Sequence, residues 1–101
     1  MLIATWNVNS LRVRMPHLKD WLAANPVDVI ALQETKLDDP AFPREEIESL
    51  GLKVAFSGQR TYNGVALLAK HELDDVVPGI PGFADEQKRV LAATVGGIRI
   101  I

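Results

Sequence analysis

The side chains of Glu34 and Asn7 are the candidates for chemistry in this sequence, because each stands where an apolar run ends. Glu34 terminates the run in VDVIALQETK (27–36), whose Val and Ile content predicts a strand buried on both faces. Asn7 follows apolar residues 2–6 and opens the polar segment NVNS. Open α/β sheets place their sites at the carboxyl ends of strands, and Glu is rarely buried unless it is paired or binds a metal. We therefore expect a functional site at these two positions.

The chemistry open to these residues is that of oxygen ligands. The sequence has no cysteine, and its 2 histidines stand at no spacing that suggests a metal site. Carboxylate, amide and water oxygens suit Mg²⁺ or Mn²⁺ rather than zinc. Mg²⁺ is held by one or two carboxylates together with substrate phosphate, and such an ion supports phosphodiester hydrolysis. Taken singly, however, Asn7 is as well explained as a turn residue, and Glu34 as a surface or cap-like carboxylate.

The elements around the two residues form a strand, a helix and a second strand. Apolar side chains recur at helical spacing and predict a helix over residues 12–24, with Pro16 in its first turn. Three elements within about 32 residues have the length of a βαβ unit, in which the two strands are parallel. Parallel strands end at the same edge of a sheet. We therefore expect Asn7 and Glu34 to lie close together.

The middle of the chain predicts a short helix and a hairpin. Residues 43–50 have a helical pattern, and residues 53–56 and 65–69 have the alternation of two strands. Tyr62, in the loop between those strands, could stack on a ligand or merely cover the end of the sheet. Residues 73–83 contain Pro and Gly at four positions, and we expect them to be irregular.

The end of the chain predicts a second hairpin. Residues 90–95 and 98–101 are apolar and β-branched, and Gly96-Gly97 between them suits a two-residue turn. The final IRII would expose an apolar strand, whereas natural sheets usually protect their edges. We therefore expect residues 1–101 to form a single incomplete domain.

Composition sets the outer limits. The 101 residues are 48% hydrophobic and 24% charged, as in one soluble globular domain. A net charge of −2 argues against a surface that binds polyanions everywhere, while leaving room for a local basic site. The sequence has neither a leader with a basic start nor an apolar run of about 20 residues, so we expect a cytoplasmic protein without a membrane segment.

Four segments together resemble the opening part of the exodeoxyribonuclease III family, the bacterial apurinic/apyrimidinic endonucleases of the larger endonuclease/exonuclease/phosphatase superfamily. They are TWNVNSLRVR (5–14), VDVIALQETK (27–36), YNGVALLAK (62–70) and EQKRVLAATV (86–95). The resemblance covers essentially the whole chain in order. The combination of WN-x-NS-x-R and LQETK is specific, whereas NGVA alone would be weak.

The resemblance implies a four-layered α/β/β/α sandwich, in which two sheets lie face to face with helices outside, as in DNase I-like proteins. It implies Mg²⁺ or Mn²⁺ as cofactor and double-stranded DNA with abasic sites or 3′ ends as partner, in a protein that is monomeric at full length. Relatives cut the backbone 5′ to an abasic site and trim 3′ ends.

Individual roles follow from motif positions. Glu34 matches the metal-ligand glutamate and Asn7 the asparagine that helps to position metal and phosphate. Asn9 and Arg12 fall where relatives carry residues near the metal and against the DNA backbone, Asn9 being the weaker match. Tyr62 lies in a loop that relatives press against the duplex. Lys36 falls where relatives carry a residue that supports the site from behind, and Arg89 matches a recurrent arginine with a structural role. The later catalytic motifs of the family do not occur in this sequence.

Because hydrolysis needs a positioned nucleophile as well as a metal, we expect the 101-residue chain alone to be inactive or nearly so. Two alternatives remain open on sequence grounds. One is a superfamily phosphatase or phosphodiesterase that acts on phosphates other than DNA. The other is a non-catalytic fragment that binds nucleic acid.

Overall fold

A computed structural model describes residues 1–101 and contains seven strands and two α-helices. In chain order they are β1 (Ile3–Asn7), α1 (Leu11–Ala24), β2 (Val29–Gln33), α2 (Arg44–Glu48), β3 (Lys53–Ser57), β4 (Val65–Ala69), β5 (Asp74–Pro78), β6 (Leu91–Val95) and β7 (Ile98–Ile100), with a 3-10 turn at Asp39–Ala41.

The N-terminal elements form the predicted βαβ unit. Strands β1 and β2 are parallel, with a register that runs from Ile3 opposite Val29 to Asn7 opposite Gln33. Helix α1 crosses between them and buries the apolar stripe that its sequence spacing predicts, with Leu11 and Leu18 fully buried. The two strands therefore end side by side at one edge of the sheet.

Pro16 lies inside α1 rather than in its first turn, so that expectation is wrong. Proline has no N–H and therefore cannot bond to the carbonyl of Arg12, four residues earlier. Pro16 and Arg12 both lie on the exposed side of the helix, where water can bond to that carbonyl. The helix continues because its buried stripe on the opposite side, Leu11, Met15 and Leu18, outweighs the lost bond.

The first sheet has four strands in the order β1-β2-β4-β3. Strand β4 is antiparallel to both neighbours, and its pairing with β3 confirms the predicted hairpin. The central position of β4 explains its burial, since residues 66–69 are all buried. Strand β1 forms one edge of this sheet and β3 the other.

The second sheet has three strands in the order β5-β6-β7. The predicted hairpin of β6 and β7 is confirmed by the pairing of Val95 with Ile98. The expectation that residues 73–83 are irregular is wrong at its start, because residues 74–78 form β5. This strand pairs with β6 only irregularly, with a register shift between Asp74 and Val77. Asp and Pro make its local sequence unfavourable for a strand, and pairing with β6 holds it extended.

The two sheets and the helices form three layers with two apolar cores. The outer core lies between the helices and the first sheet, and it includes Leu18, Ile47 and Leu68. The inner core lies between the two sheets, where Leu67 of β4 packs in one cluster with Ala93 of β6. Alternate residues of β4 thus serve opposite cores. The predicted fold class is confirmed: the chain forms the N-terminal half of a four-layered α/β/β/α sandwich, with three of the four layers present and a mixed first sheet that opens on a βαβ unit.

Neither helix has the combination of length and apolarity that a transmembrane span requires.

Candidate functional site

Asn7 and Glu34 are in contact at the edge where β1 and β2 end. The side-chain amide Nδ2 of Asn7 donates a hydrogen bond to Oε2 of Glu34, which confirms their predicted proximity. The other end of the Asn7 amide is also held, since its Oδ1 accepts the backbone N–H of Asn9 at 3.1 Å. With both of its ends bonded, the amide of Asn7 fixes the orientation of the Glu34 carboxylate.

Lys36 and Asn9 complete a small polar cluster around this carboxylate. The ammonium Nζ of Lys36 donates to Oδ1 of Asn9 at 2.5 Å and lies 3.8 Å from Oε1 of Glu34. The Glu34 side chain is 44% exposed, and no hydrogen bond occupies its Oε1. The cluster therefore holds one accessible carboxylate oxygen beside one positive charge.

The oxygen donors around Glu34 suit a hydrated divalent cation. No group of three or more His, Cys, Asp or Glu side chains is arranged to hold a metal ion. The one oriented carboxylate fits Mg²⁺ or Mn²⁺, which takes most of its remaining ligands from water and substrate phosphate. Glu34 would provide the charged ligand of such an ion.

The backbone around the cluster is strained. Glu34 and Lys36 have φ angles of 56° and 58°, and Asn9 and Ser10 have φ angles of 44° and 88°. Left-handed conformations of residues other than Gly cost of the order of 1–3 kcal/mol each and persist only where the surroundings impose them. Their concentration on two adjacent loops is typical of a functional site rather than of ordinary turns.

Backbone hydrogen bonds between the loops impose these conformations. The N–H of Ser10 donates to the carbonyl of Glu34 at 2.9 Å, and the N–H of Leu11 donates to the carbonyl of Thr35 at 3.0 Å. These bonds join the loop before α1 to the loop after β2. They also tie Ser10, the residue before the helix, to Glu34, and the first helical residue to Thr35.

The loop before β4 is bonded to the same place. The N–H of Lys36 donates to the carbonyl of Asn63 at 2.9 Å, and the N–H of Thr35 donates to the carbonyl of Gly64 at 3.2 Å. Gly64 in turn donates its N–H to the carbonyl of Lys88 at 2.8 Å. Segments that are far apart in the sequence therefore meet at one edge of the fold.

A depression of about 310 Å³ opens beside Glu34. It is lined by Gln33, Glu34, Asn63, Gly64, Val65, Lys88 and Arg89. Sequence reasoning missed Lys88, because its place next to Glu34 depends on its bond to Gly64 and no local pattern announces it. Arg89, expected to be structural, also lines this depression, and its Nη2 lies 3.7 Å from Oδ2 of Asp85. The depression combines the open carboxylate with two basic residues.

Arg12, on helix α1, and Tyr62, in the loop before β4, form no side-chain hydrogen bond to the cluster. Arg12 stands exposed in the first turn of α1 and forms no ion pair or hydrogen bond through its side chain. The Tyr62 side chain belongs to a residue that is 67% exposed, so it does not cover the end of the sheet. Both side chains are free to contact a ligand larger than the depression.

Comparison with known proteins gives a consistent picture. A family model described as the endonuclease/exonuclease/phosphatase family matches residues 4–98. Exodeoxyribonuclease III of Haemophilus influenzae is 42% identical over 94 residues, which are 92% of this chain and 35% of that protein.

Solved structures agree with the sequence comparison. A 3′-5′ exonuclease from Neisseria meningitidis superposes with a TM-score of 0.95 at 49% identity, over 98% of this chain and 39% of that one. An AP endonuclease from Archaeoglobus fulgidus gives a TM-score of 0.92 at 38% identity, over 98% and 39%. The chain thus spans between about a third and two fifths of the length of these proteins.

Proposed function

Because this chain belongs to the endonuclease/exonuclease/phosphatase family, we propose that it forms the metal-binding part of a nuclease that repairs DNA by hydrolysing phosphodiester bonds. The observation that carries the proposal is the contact between Asn7 and Glu34 at the adjoining ends of β1 and β2. It orients a carboxylate at a solvent-open edge, as a site for a hydrated cation and a phosphate requires.

DNA is the favoured substrate among phosphate esters. The matched proteins are named exodeoxyribonuclease III, 3′-5′ exonuclease and AP endonuclease. A second structure of the Neisseria protein is described as a 3′ phosphatase bound to a product DNA hairpin. We therefore propose cleavage 5′ to abasic sites and trimming of 3′ ends as the activities of the whole protein.

Each residue of the cluster has a proposed role. Glu34 is the ligand of Mg²⁺ or Mn²⁺, and Asn7 holds its carboxylate in one orientation through the amide bond. When bound, the cation polarises a phosphoryl oxygen and stabilises the charge that develops on the leaving oxygen. Lys36 compensates the negative charge of Glu34 and anchors Asn9.

The duplex would extend beyond the cluster onto the exposed loops. Arg12 contributes a charge at the helix end that is joined to Thr35 by the bond from Leu11. Phosphate contacts of this kind fix the position of DNA without reading its sequence. Tyr62, largely exposed, provides an aromatic face against the DNA.

A cleavage assay tests the proposal. A chimera carries this chain in place of the matching 35% of the Haemophilus protein, and its substrate is a duplex with one abasic-site analogue. We expect nicking 5′ to the site with Mg²⁺ and none with EDTA or in the Glu34→Gln chimera, while the 101-residue chain alone stays inactive.

Two outcomes would favour the alternatives. A folded chimera that binds Mg²⁺ and hydrolyses small phosphate esters, but not DNA, would support a phosphatase or phosphodiesterase. A chimera that binds the duplex without cutting it, when the parent Haemophilus protein cuts under the same conditions, would support a non-catalytic nucleic-acid-binding role.

A further inference from the structure

Thr35 is the buried centre of the loop that carries the candidate metal ligand. It lies between the two left-handed residues Glu34 and Lys36, and only 1% of its surface is exposed. Its backbone is fully bonded, to Leu11 through the carbonyl and to Gly64 through the N–H. Its hydroxyl Oγ1, by contrast, is buried without any hydrogen-bond partner. A buried hydroxyl without a partner is unfavourable, so another property of this side chain must be required here.

That property is the packing of Thr35 against Gly64. A Cβ atom placed on Gly64 would lie 2.2 Å from Oγ1 of Thr35 and 3.3 Å from the backbone nitrogen of Lys36. The first distance is shorter than any real Cβ contact, so no other residue fits unless Thr35 moves. Gly64 also has a φ of +93°, but this is not what sets it apart. Gly79 and Gly51 have φ angles of +80° and +83°, and nothing lies within 4 Å of a Cβ at either position.

We infer that Gly64 is a positioning residue for the Glu34 carboxylate, because its bare Cα lets Thr35 wedge between the loops and hold Glu34 and Lys36 in their left-handed conformations. The inference rests on the proposed function only in naming what the carboxylate binds. A side chain at position 64 would push Thr35 outward and take the bonded carbonyl of Glu34 with it. The amide contact of Asn7 with Glu34 would then be lost although neither residue had changed.

The steric character of the contact gives it a specific signature. The fit depends on the combined size of the side chains at positions 35 and 64. Gly64→Ala makes this combined size too large, and Thr35→Ala makes it too small. The double variant Gly64→Ala/Thr35→Ala removes the clashing oxygen, so the nearest atoms to the new Cβ become the Lys36 backbone nitrogen at 3.3 Å and the Cβ of residue 35 at 3.4 Å, and most of the fit should return. Thr35→Val keeps the shape and removes only the unpartnered hydroxyl, so it should leave the site intact.

The experiment uses the 101-residue chain with Mn²⁺ as the probe, and binding is followed by the loss of the free-ion electron paramagnetic resonance signal. We expect Gly64→Ala to weaken Mn²⁺ binding by at least about tenfold, as is usual when the support of a metal ligand is disturbed. Gly79→Ala is the matched control, since it also places a side chain at a positive φ but meets no neighbouring atom, and its affinity should be unchanged. The double variant should regain affinity to within about threefold of the original, in keeping with that scale.

A second readout does not involve metal. Backbone amide NMR shifts of Glu34 and Lys36 should move in Gly64→Ala and return in the double variant. If neither the original chain nor the chimera with the Haemophilus protein binds Mn²⁺, the metal assignment of the proposed function fails, and these shifts alone decide the positioning role. If Gly64→Ala does not fold, the Thr35 variants decide the positioning role. Thr35→Ala should then weaken Mn²⁺ binding and move the amide shifts, whereas Thr35→Val should do neither. Unmoved shifts in Gly64→Ala, no recovery in the double variant, or a tenfold loss in Thr35→Val would each overturn the inference.

Discussion

The side-chain amide of Asn7 bonds to the carboxylate of Glu34 across a sequence separation of 27 residues. The parallel register places Asn7 opposite Gln33, so Glu34 is the first residue beyond the paired strands. Its left-handed φ of 56° turns the chain at this point and leaves the carboxylate beside the neighbouring strand. The candidate site is therefore a direct product of the βαβ topology.

The first prediction concerns the amide of Asn7. Asn7→Ala removes the group that orients Glu34, and we expect Mn²⁺ affinity to fall by about 10- to 100-fold, as for other residues that support a metal ligand. Titration of Mn²⁺ against the free-ion signal measures the effect. Asn25→Ala is the control, because Asn25 bonds only to Trp21 at the far end of α1. Equal affinities in the two variants would mean that the Asn7 contact has no role in binding.

The second prediction concerns Arg12 and DNA. If Arg12 contacts a phosphate, Arg12→Ala should weaken duplex binding equally for all sequences and reduce the slope of log K against log salt by about 0.9. Fluorescence anisotropy of a labelled duplex across a NaCl series provides the slope. Lys70→Ala is the control, since Lys70 is an exposed cation at the opposite edge of the sheet. Its backbone N–H donates to the backbone carbonyl of Asp28 there. An equal change in slope for both variants would count against a specific contact.

The third prediction concerns acid stability. The N–H of Leu2 donates to Asp28 at 2.7 Å and, with some opposition from burial and help from His71, lowers the pKa of this carboxyl below its ordinary value. A lowered pKa in the folded state stabilises the protein above the unfolded pKa of about 4, and the contribution disappears as the pH falls through the folded pKa.

Asp28→Asn should therefore melt at a lower temperature than the original chain at neutral pH, and the difference should shrink towards zero below about pH 4. Thermal melts from acid to neutral pH measure it. The matched control is Asp20→Asn, which changes an exposed carboxylate on α1. A difference that stays constant through the acid range would contradict the assigned origin of the shift.

The fourth prediction concerns the outer core. Leu18 is fully buried between α1 and the first sheet, so Leu18→Ala should destabilise the fold by about 2–5 kcal/mol. Val13→Ala on the same helix should change the free energy of unfolding by less than about 0.5 kcal/mol, because Val13 is 55% exposed. Urea denaturation compares the two. Similar losses would show that α1 does not pack as described.

The fifth prediction concerns self-association. The second sheet covers the inner face around β4, but Ile3 on the edge strand β1 is 45% exposed. Apolar edge strands favour association with other chains, so we expect oligomers in sedimentation velocity and fewer of them for Ile3→Lys. Leu50→Lys, at a residue of 42% exposure on the helical side, is the control. A monomeric chain with a sharp, cooperative melt would contradict this prediction.

Most of the fold near the site follows from local pattern. The apolar run before Glu34 and the helical spacing in α1 depend on neighbours in sequence, and they were sufficient to place Asn7 beside Glu34. The irregular strand β5 was not predictable in this way, because Asp75 is left-handed at a φ of 48°. Its carbonyl accepts a bond from Nη1 of Arg99 at 2.8 Å, a partner from the end of the chain.

The details of the site were less accessible than its position. The presence of Lys88 in the same depression as Glu34 depends on the bond between the Gly64 N–H and the Lys88 carbonyl. The need for Gly at position 64 depends on the unpartnered side chain of Thr35. Neither relation has a periodic signal in the sequence, since both arise only when distant loops pack together.

The parallel pairing of β1 and β2 also links occupancy of the site to survival of the fold. Asn7 and Glu34 meet only while these strands are paired, so a cation that needs both would bind the folded chain and not the unfolded one. By mass action, binding would then raise the free energy of unfolding by about 2.7 kcal/mol when the free cation concentration is 100 times the dissociation constant. For a domain of marginal stability, the concentration of divalent cation in its surroundings would help to determine the fraction of molecules that are folded.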